Sequence, residues 1–219
     1  MYGENVIAET KNEVLKKTFF YLALSMIPTV IAAMLGVNMH FELVMAAHPI
    51  ITIIAFLAVS LGLSYLISAT ENYVISLLGL FSFAFVWGLF LTGSLAYVLS
   101  GPNGAQVITL AAGGTGIILV AMSILATTIK RDLSRFGQFL FVGLLLVIVA
   151  SLVNIFFAVP AVSLAISALC ILIFSGYIVY DVNKVVRGGE TNPVRAALQI
   201  YMDVINIFIS LLNILGSRR

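Results

Sequence analysis

Apolar residues run through this chain in seven long blocks, near 19–37, 50–69, 74–97, 107–129, 137–157, 162–182 and 196–215, each separated from the next by a few polar residues. Runs of about 20 apolar residues match the length a helix needs to cross the hydrocarbon of a bilayer. The pattern therefore predicts seven spanning helices. The connections are short, most clearly Thr70-Glu71-Asn72-Tyr73 and the stretch around Pro160, so consecutive helices should run antiparallel in one bundle. Pro49, Pro102, Pro160 and Pro193 fall in connections, whereas Pro28 lies inside the first block and should kink that helix. The expected layout is an all-α membrane protein: a polar N-terminal tail at 1–18, a seven-helix transmembrane domain at 19–215 and a short tail at 216–219.

Composition strengthens this reading. Of 219 residues, 62% are hydrophobic and only 9% charged, which excludes a soluble globular domain. The first apolar block is too long for a cleaved signal peptide and is expected to be a permanent span. Cys170 is the one cysteine, so neither a disulfide framework nor a cysteine metal site can be built.

The charges give an orientation. Lys11, Lys16 and Lys17 precede the first block; Lys130, Arg131 and Arg135 lie between the fourth and fifth; Lys184, Arg187 and Arg195 lie between the sixth and seventh. With the N-terminus cytoplasmic, nine of the eleven basic residues fall inside and the outer connections have none, as the positive-inside rule requires. Only Arg218 and Arg219 would lie outside; either they are tolerated there or the last segment re-enters without crossing. The net charge of +2, with its charges in loops, gives no sign of nucleic-acid binding.

The seventh block is the least apolar. Its ten Ile, Val, Leu and Phe residues between 200 and 215 contribute on the order of −3 to −6 kcal/mol to insertion, and one central Asp costs about 3 kcal/mol of that. It is expected in the protein interior rather than facing lipid. Its polar residues are ordered: Gln199, Asp203, Asn206, Ser210, Asn213 and Ser217 recur at intervals of 4, 3, 4, 3 and 4, which places all six on one face of a helix. That stripe is about 27 Å long, close to the hydrocarbon thickness. It suits either the wall of a hydrated ion path or polar contacts between packed helices.

Asp203 is the costliest member and calls for a partner. Asp181, near the cytoplasmic end of the sixth block, should lie at a similar depth on the adjacent antiparallel helix. Two carboxyls at hydrogen-bond distance in a low-dielectric site cannot both ionise, so the pair is expected to share a proton and act as a proton-sensitive gate. Tyr177 lies one turn before Asp181 on the same face. Tyr177, Tyr180 and Tyr201 also suit an interfacial aromatic belt, which is the reading preferred for the tyrosines. Ser163, Ser167 and Cys170 make the same side of the sixth helix small, which suits close packing.

Hydrolytic chemistry lacks its motifs. Tyr180-Asp181 resembles one half of an intramembrane aspartyl protease, but Ile200-Tyr201-Met202 precede Asp203 where glycines are required. Gly62-Leu63-Ser64 resembles a rhomboid nucleophile, yet the histidines, His40 and His48, lie in the first connection, away from any helix that could supply the base. Gly113-Gly114-Thr115-Gly116 has no lysine after it and is expected at a close helix contact, not a phosphate loop. An enzyme is not expected.

The segments Ser175-Gly176-Tyr177-Ile178-Val179-Tyr180-Asp181, Tyr201-Met202-Asp203-Val204-Ile205-Asn206-Ile207-Phe208 and Leu211-Leu212-Asn213-Ile214-Leu215 resemble the transmembrane Bax inhibitor motif family. Gly188-Gly189-Glu190-Thr191-Asn192, Arg195-Ala196 and the ending Leu215-Gly216 look most like its bacterial branch, which modulates the FtsH membrane protease. The resemblance implies a seven-helix protein of the bacterial inner membrane in which an acid pair, here Asp181 and Asp203, controls a pH-sensitive calcium leak. It implies no resident cofactor, transient calcium at the pair, Gln199, Asn206, Ser210, Asn213 and Tyr177 as lining or supporting residues, and FtsH as a partner besides the lipid bilayer. The family's calcium-leak members carry an arginine latch in the second helix. Here that helix ends Tyr65-Leu66-Ile67-Ser68-Ala69-Thr70, with no base.

Overall fold

The computed structural model describes residues 2–217, with side chains from Lys11 onward. Arg218 and Arg219, the two basic residues at odds with the charge rule, lie outside the described residues. Eight helices follow in order: α1 (Tyr2–Asn38), α2 (Phe41–Ala47), α3 (Pro49–Ala69), α4 (Tyr73–Leu99), α5 (Gly104–Thr128), α6 (Ser134–Phe157), α7 (Pro160–Arg187) and α8 (Pro193–Gly216). There is no strand among the described residues. All but α2 are long and apolar enough to span a bilayer.

Two features depart from the hydropathy pattern. Helix α1 does not begin at the apolar boundary but continues from Tyr2, and the i,i+4 pair Glu13–Lys17 (2.7 Å) supports its polar part. The first connection folds into α2, a helix of seven residues too short to register in a spanning window. At its start His40 Nδ1 and Glu42 Oε1 are 3.0 Å apart. Asparagines cap two of the helices: the Asn72 side chain accepts from the amides of Val74 and Ile75 at the start of α4, and Asn192 accepts from Val194 and Arg195 at the start of α8.

The helices form two compact units. The first comprises the chain up to Pro102 together with Asn192–Leu198. Within it α1 packs along α4 at small residues: a side chain at Gly88 would strike the Thr29 carbonyl and Ala32, and one at Gly36 would strike Thr92. The Thr29 hydroxyl is shared between Ser25 O (2.9 Å) and Ala84 O (3.2 Å), which ties the two helices where their backbones come close. The Tyr73 and Tyr21 hydroxyls are hydrogen-bonded. Phe56 of α3 stacks on Phe90 of α4 (centroids 3.9 Å) and meets Trp87 edge-on (4.9 Å).

The second unit comprises Asn103–Thr191 together with the chain from Gln199. Here α7 packs on both α5 and α6. Gly137 of α6 admits the Tyr180 ring, and Gly176 of α7 admits Leu140 of α6. The glycine cluster of α5 makes one contact rather than several: Gly114 faces Leu211, while Gly113 and Gly116 look onto open space, so the close helix contact expected of the whole cluster is confined to one residue. Half of α8's most apolar window is buried (50%), against 11% for α3, α5 and α6. That is the interior position that its low insertion energy calls for.

Candidate functional site

The last two helices of the second unit carry matching polar faces. On α7, Ser163, Ser167, Cys170, Phe174, Tyr177 and Asp181 recur at intervals of 4, 3, 4, 3 and 4, the same rhythm as Gln199 to Ser217 on α8. Two antiparallel stripes of equal period can meet rung by rung, and several rungs are made. Asn213 Nδ2 donates to Ser167 Oγ (2.8 Å) and reaches Ser163 Oγ (3.4 Å). Cys170 lies near Ser210. At the far end the Asp181 and Asp203 carboxyls lie close enough to act on each other electrostatically.

A direct bond between the two acids would require a proton, because two carboxylates are both acceptors. Burial makes the same demand. Asp181 is 7% exposed and Asp203 4%, and Asp203 Oδ2 is buried with no hydrogen-bond partner. Two full negative charges in such a place would repel strongly and lack solvation. The Tyr177 phenol lies within electrostatic reach of both acids. Lys184 is the cation that acts most strongly on Asp181, and Glu190 acts on it in the opposite sense.

The remaining stripe residues satisfy themselves. Asn206 Nδ2 donates to Met202 O (2.7 Å), Ser210 Oγ to Asn206 O (2.7 Å) and Ser217 Oγ to Asn213 O (2.6 Å), all within α8. Gln199 is partly buried. The aromatic-belt reading does not hold for Tyr201, which is fully buried; the half-buried Tyr180 packs its ring against Gly137.

One polar residue beside the pair went unnoticed in the sequence. Asn183, 2% exposed, donates to Ala126 O (3.2 Å) and Ile129 O (2.8 Å), closing the C-terminal end of α5. A buried Asn two residues after a buried acid, just where basic residues begin, is the signal that would have found it. One turn later Arg187 Nη1 donates to Lys130 O (2.5 Å). Helix α7 ends on Gly188, whose φ of 81° is the left-handed conformation that glycine adopts freely; its amide and that of Gly189 close onto Val185 O and Lys184 O. In the loop after α5, the Ser134 hydroxyl and amide and the Arg187 guanidinium hold the Asp132 carboxyl below its ordinary value of 3.8.

Among the described residues no three His, Cys, Asp or Glu side chains gather into a metal site.

Residues 11–219 match the family profile described as inhibitor of apoptosis-promoting Bax1. An uncharacterized membrane protein of Vibrio cholerae is 37% identical over 94% of this chain and 89% of its own length. The modulator of FtsH protease YccA of Escherichia coli K12 is 35% identical over 94% of this chain and 90% of its own. A protein of Campylobacter jejuni, Cj0236c, is 33% identical over 98% and 92%.

Proposed function

This chain belongs to the Bax inhibitor family and is a multi-pass protein of the bacterial inner membrane, and within that family we propose that it permits a slow, pH-sensitive leak of cations, calcium foremost, gated by Asp181 and Asp203. The observation that carries this reading is the pair of buried carboxyls within electrostatic reach of each other, where one shared proton avoids two adjacent charges. While the proton is shared, the two helices are held together at the acids. Loss of the proton puts two like charges at close range, which drives α7 and α8 apart and attracts a divalent cation. The polar face from Gln199 to Asn213, with Tyr177 opposite, then offers hydroxyl and amide oxygens to an ion passing between the stripes. Calcium is cargo here, held in passing by the pair and by water. The N-terminus is cytoplasmic in this reading, and no catalytic step is assigned.

The test is calcium flux into proteoliposomes of the purified protein between pH 6 and 8. Flux rises with pH in the native chain, and Asp181→Asn and Asp203→Asn, which keep size and hydrogen bonding, each flatten the profile. No flux above empty vesicles at any pH, or an unchanged profile in the folded Asn variants, defeats the proposal.

A second reading has its own support, since a relative 35% identical to this chain is named a modulator of the FtsH protease. In it the protein is a regulatory partner of a membrane protease, contacting it through the cytoplasmic N-terminal segment and loops. Deleting residues 2–17 then abolishes binding to the protease, and substituting either acid does not.

A further inference from the structure

A cavity of about 460 Å³ opens at the end of α7, lined by Asp132, Leu133, Ser134, Tyr180, Asn183, Lys184, Arg187, Gly188 and Gly189. It lies where the apolar run of α7 stops and the chain turns through Gly188. Its wall carries two cations against one anion, and Lys130, Arg131 and Arg135 flank it in the adjoining loop and the first turn of α6.

The charges in the wall are not equally free. Asp132 is committed to Ser134 and faces Arg187, and Arg187 donates to the Lys130 carbonyl. Lys184, partly buried, makes no hydrogen bond or close ion pair among the described residues, and the acid it acts on most directly is Asp181. Nor is it needed to cap its own helix, because the amides of Gly188 and Gly189 already close the last carbonyls. A partly buried ammonium with no hydrogen-bond partner in the wall of a cavity can take an anion. The apolar part of the lining, from Leu133 and the Tyr180 ring, lies beside the lipid-facing end of α6, where Phe139 is exposed.

We propose that this cavity binds a phosphate group through Lys184 and Arg187, carried by the headgroup of an anionic membrane lipid or supplied as free phosphate. A tetrahedral anion can take Lys184 as a point charge and the outer edge of the Arg187 guanidinium together, while the Ser134 hydroxyl lies in the same wall. Asn183 braces the floor, so the site is held by α7 and the α5–α6 loop together.

The test uses the full chain purified in detergent. Native mass spectrometry reads retention of phosphatidylglycerol against phosphatidylcholine, and equilibrium dialysis reads binding of radiolabelled inorganic phosphate to delipidated protein. Lys184→Gln is the informative variant because Lys184 makes no internal bond whose loss would disturb folding. It weakens binding roughly tenfold, and Lys184→Arg restores it. Preferential retention of phosphatidylglycerol that Lys184→Gln abolishes assigns the lipid source; dialysis binding with the same sensitivity, and no lipid preference, assigns free phosphate. Binding of neither, or binding of either that is indifferent to Lys184→Gln, overturns the proposal. None of these readouts depends on ion flux, so the outcome is separable from that of the carboxyl gate.

Discussion

Helices α4 and α7 are each packed against two or more neighbours within their own unit, and they bury different kinds of side chain. The buried positions of α4 include Gly79, Gly88, Leu80, Phe83, Trp87, Leu91 and Val98, with Ser76 and Thr92 as the polar exceptions. Those of α7 include Asp181 and Asn183 beside Ser167, Ile178 and Val182. In lipid, apolar surface gains little by leaving one oily environment for another, so helices associate by close fit or by polar contacts. The first unit relies on fit, with glycines that let α1 approach α4. The second relies on hydrogen bonds whose loss would strand polar groups in the membrane. A shape fit has one good arrangement, whereas a proton-dependent contact has two, and only the second kind can be switched.

The change that strikes hardest at this contrast is Gly88→Val. Its new side chain meets the Thr29 backbone, which cannot yield as a flexible side chain would, so the folded state should lose about 3 kcal/mol in reversible detergent unfolding. Gly93 on the same helix looks onto open space, and Gly93→Ala should be neutral or stabilise slightly. Equal losses at the two positions would mean that fit at Gly88 is not what holds α1 to α4.

In the second unit Asn183→Ala should cost about 2 kcal/mol, since two carbonyls at the end of α5 lose their donor in a site with little water. Hydrogen exchange should then accelerate in the last turn of α5 and leave α1 and α4 untouched. Unchanged exchange there would show that the Asn183 bonds carry no load. The smallest effect is expected at Asn213→Ala, about 0.6 kcal/mol, the usual value of a polar contact between membrane helices. A loss several times larger would make the Asn213 rung, rather than the acids, the main tie between α7 and α8.

The spans were legible because apolar blocks end at clear punctuation: Asn72 and Asn192 cap the helices they precede, and Gly188 ends α7. Helix α2 was hidden by its length, and the start of α1 by its polarity, since a helix carried by Glu13–Lys17 pairing leaves no mark in hydropathy. The α8 stripe and its pairing with Asp181 could be read because an acid in a membrane demands an explanation and few positions can supply one. Tyr201 was misread because an aromatic beside an acid looks the same in sequence whether it faces lipid headgroups or is fully enclosed. The cavity at Lys184 could not be read at all, since it is made by the α5–α6 loop closing over the end of α7, and no periodicity records where a loop lies.

The Asn183 bonds also have a mechanical meaning. Asn183 sits half a turn beyond Asp181 and clasps the last carbonyls of α5, while Arg187 holds the next carbonyl of the same loop. At that end α5 and α7 are riveted into one strut. A displacement of α7 at the acid pair cannot be absorbed locally; it must carry the end of α5 and the following loop with it. In the proposed gate, a small stroke between the two carboxyls would be transmitted to a surface segment that holds Lys130, Arg131 and Asp132, where an outside partner could feel it.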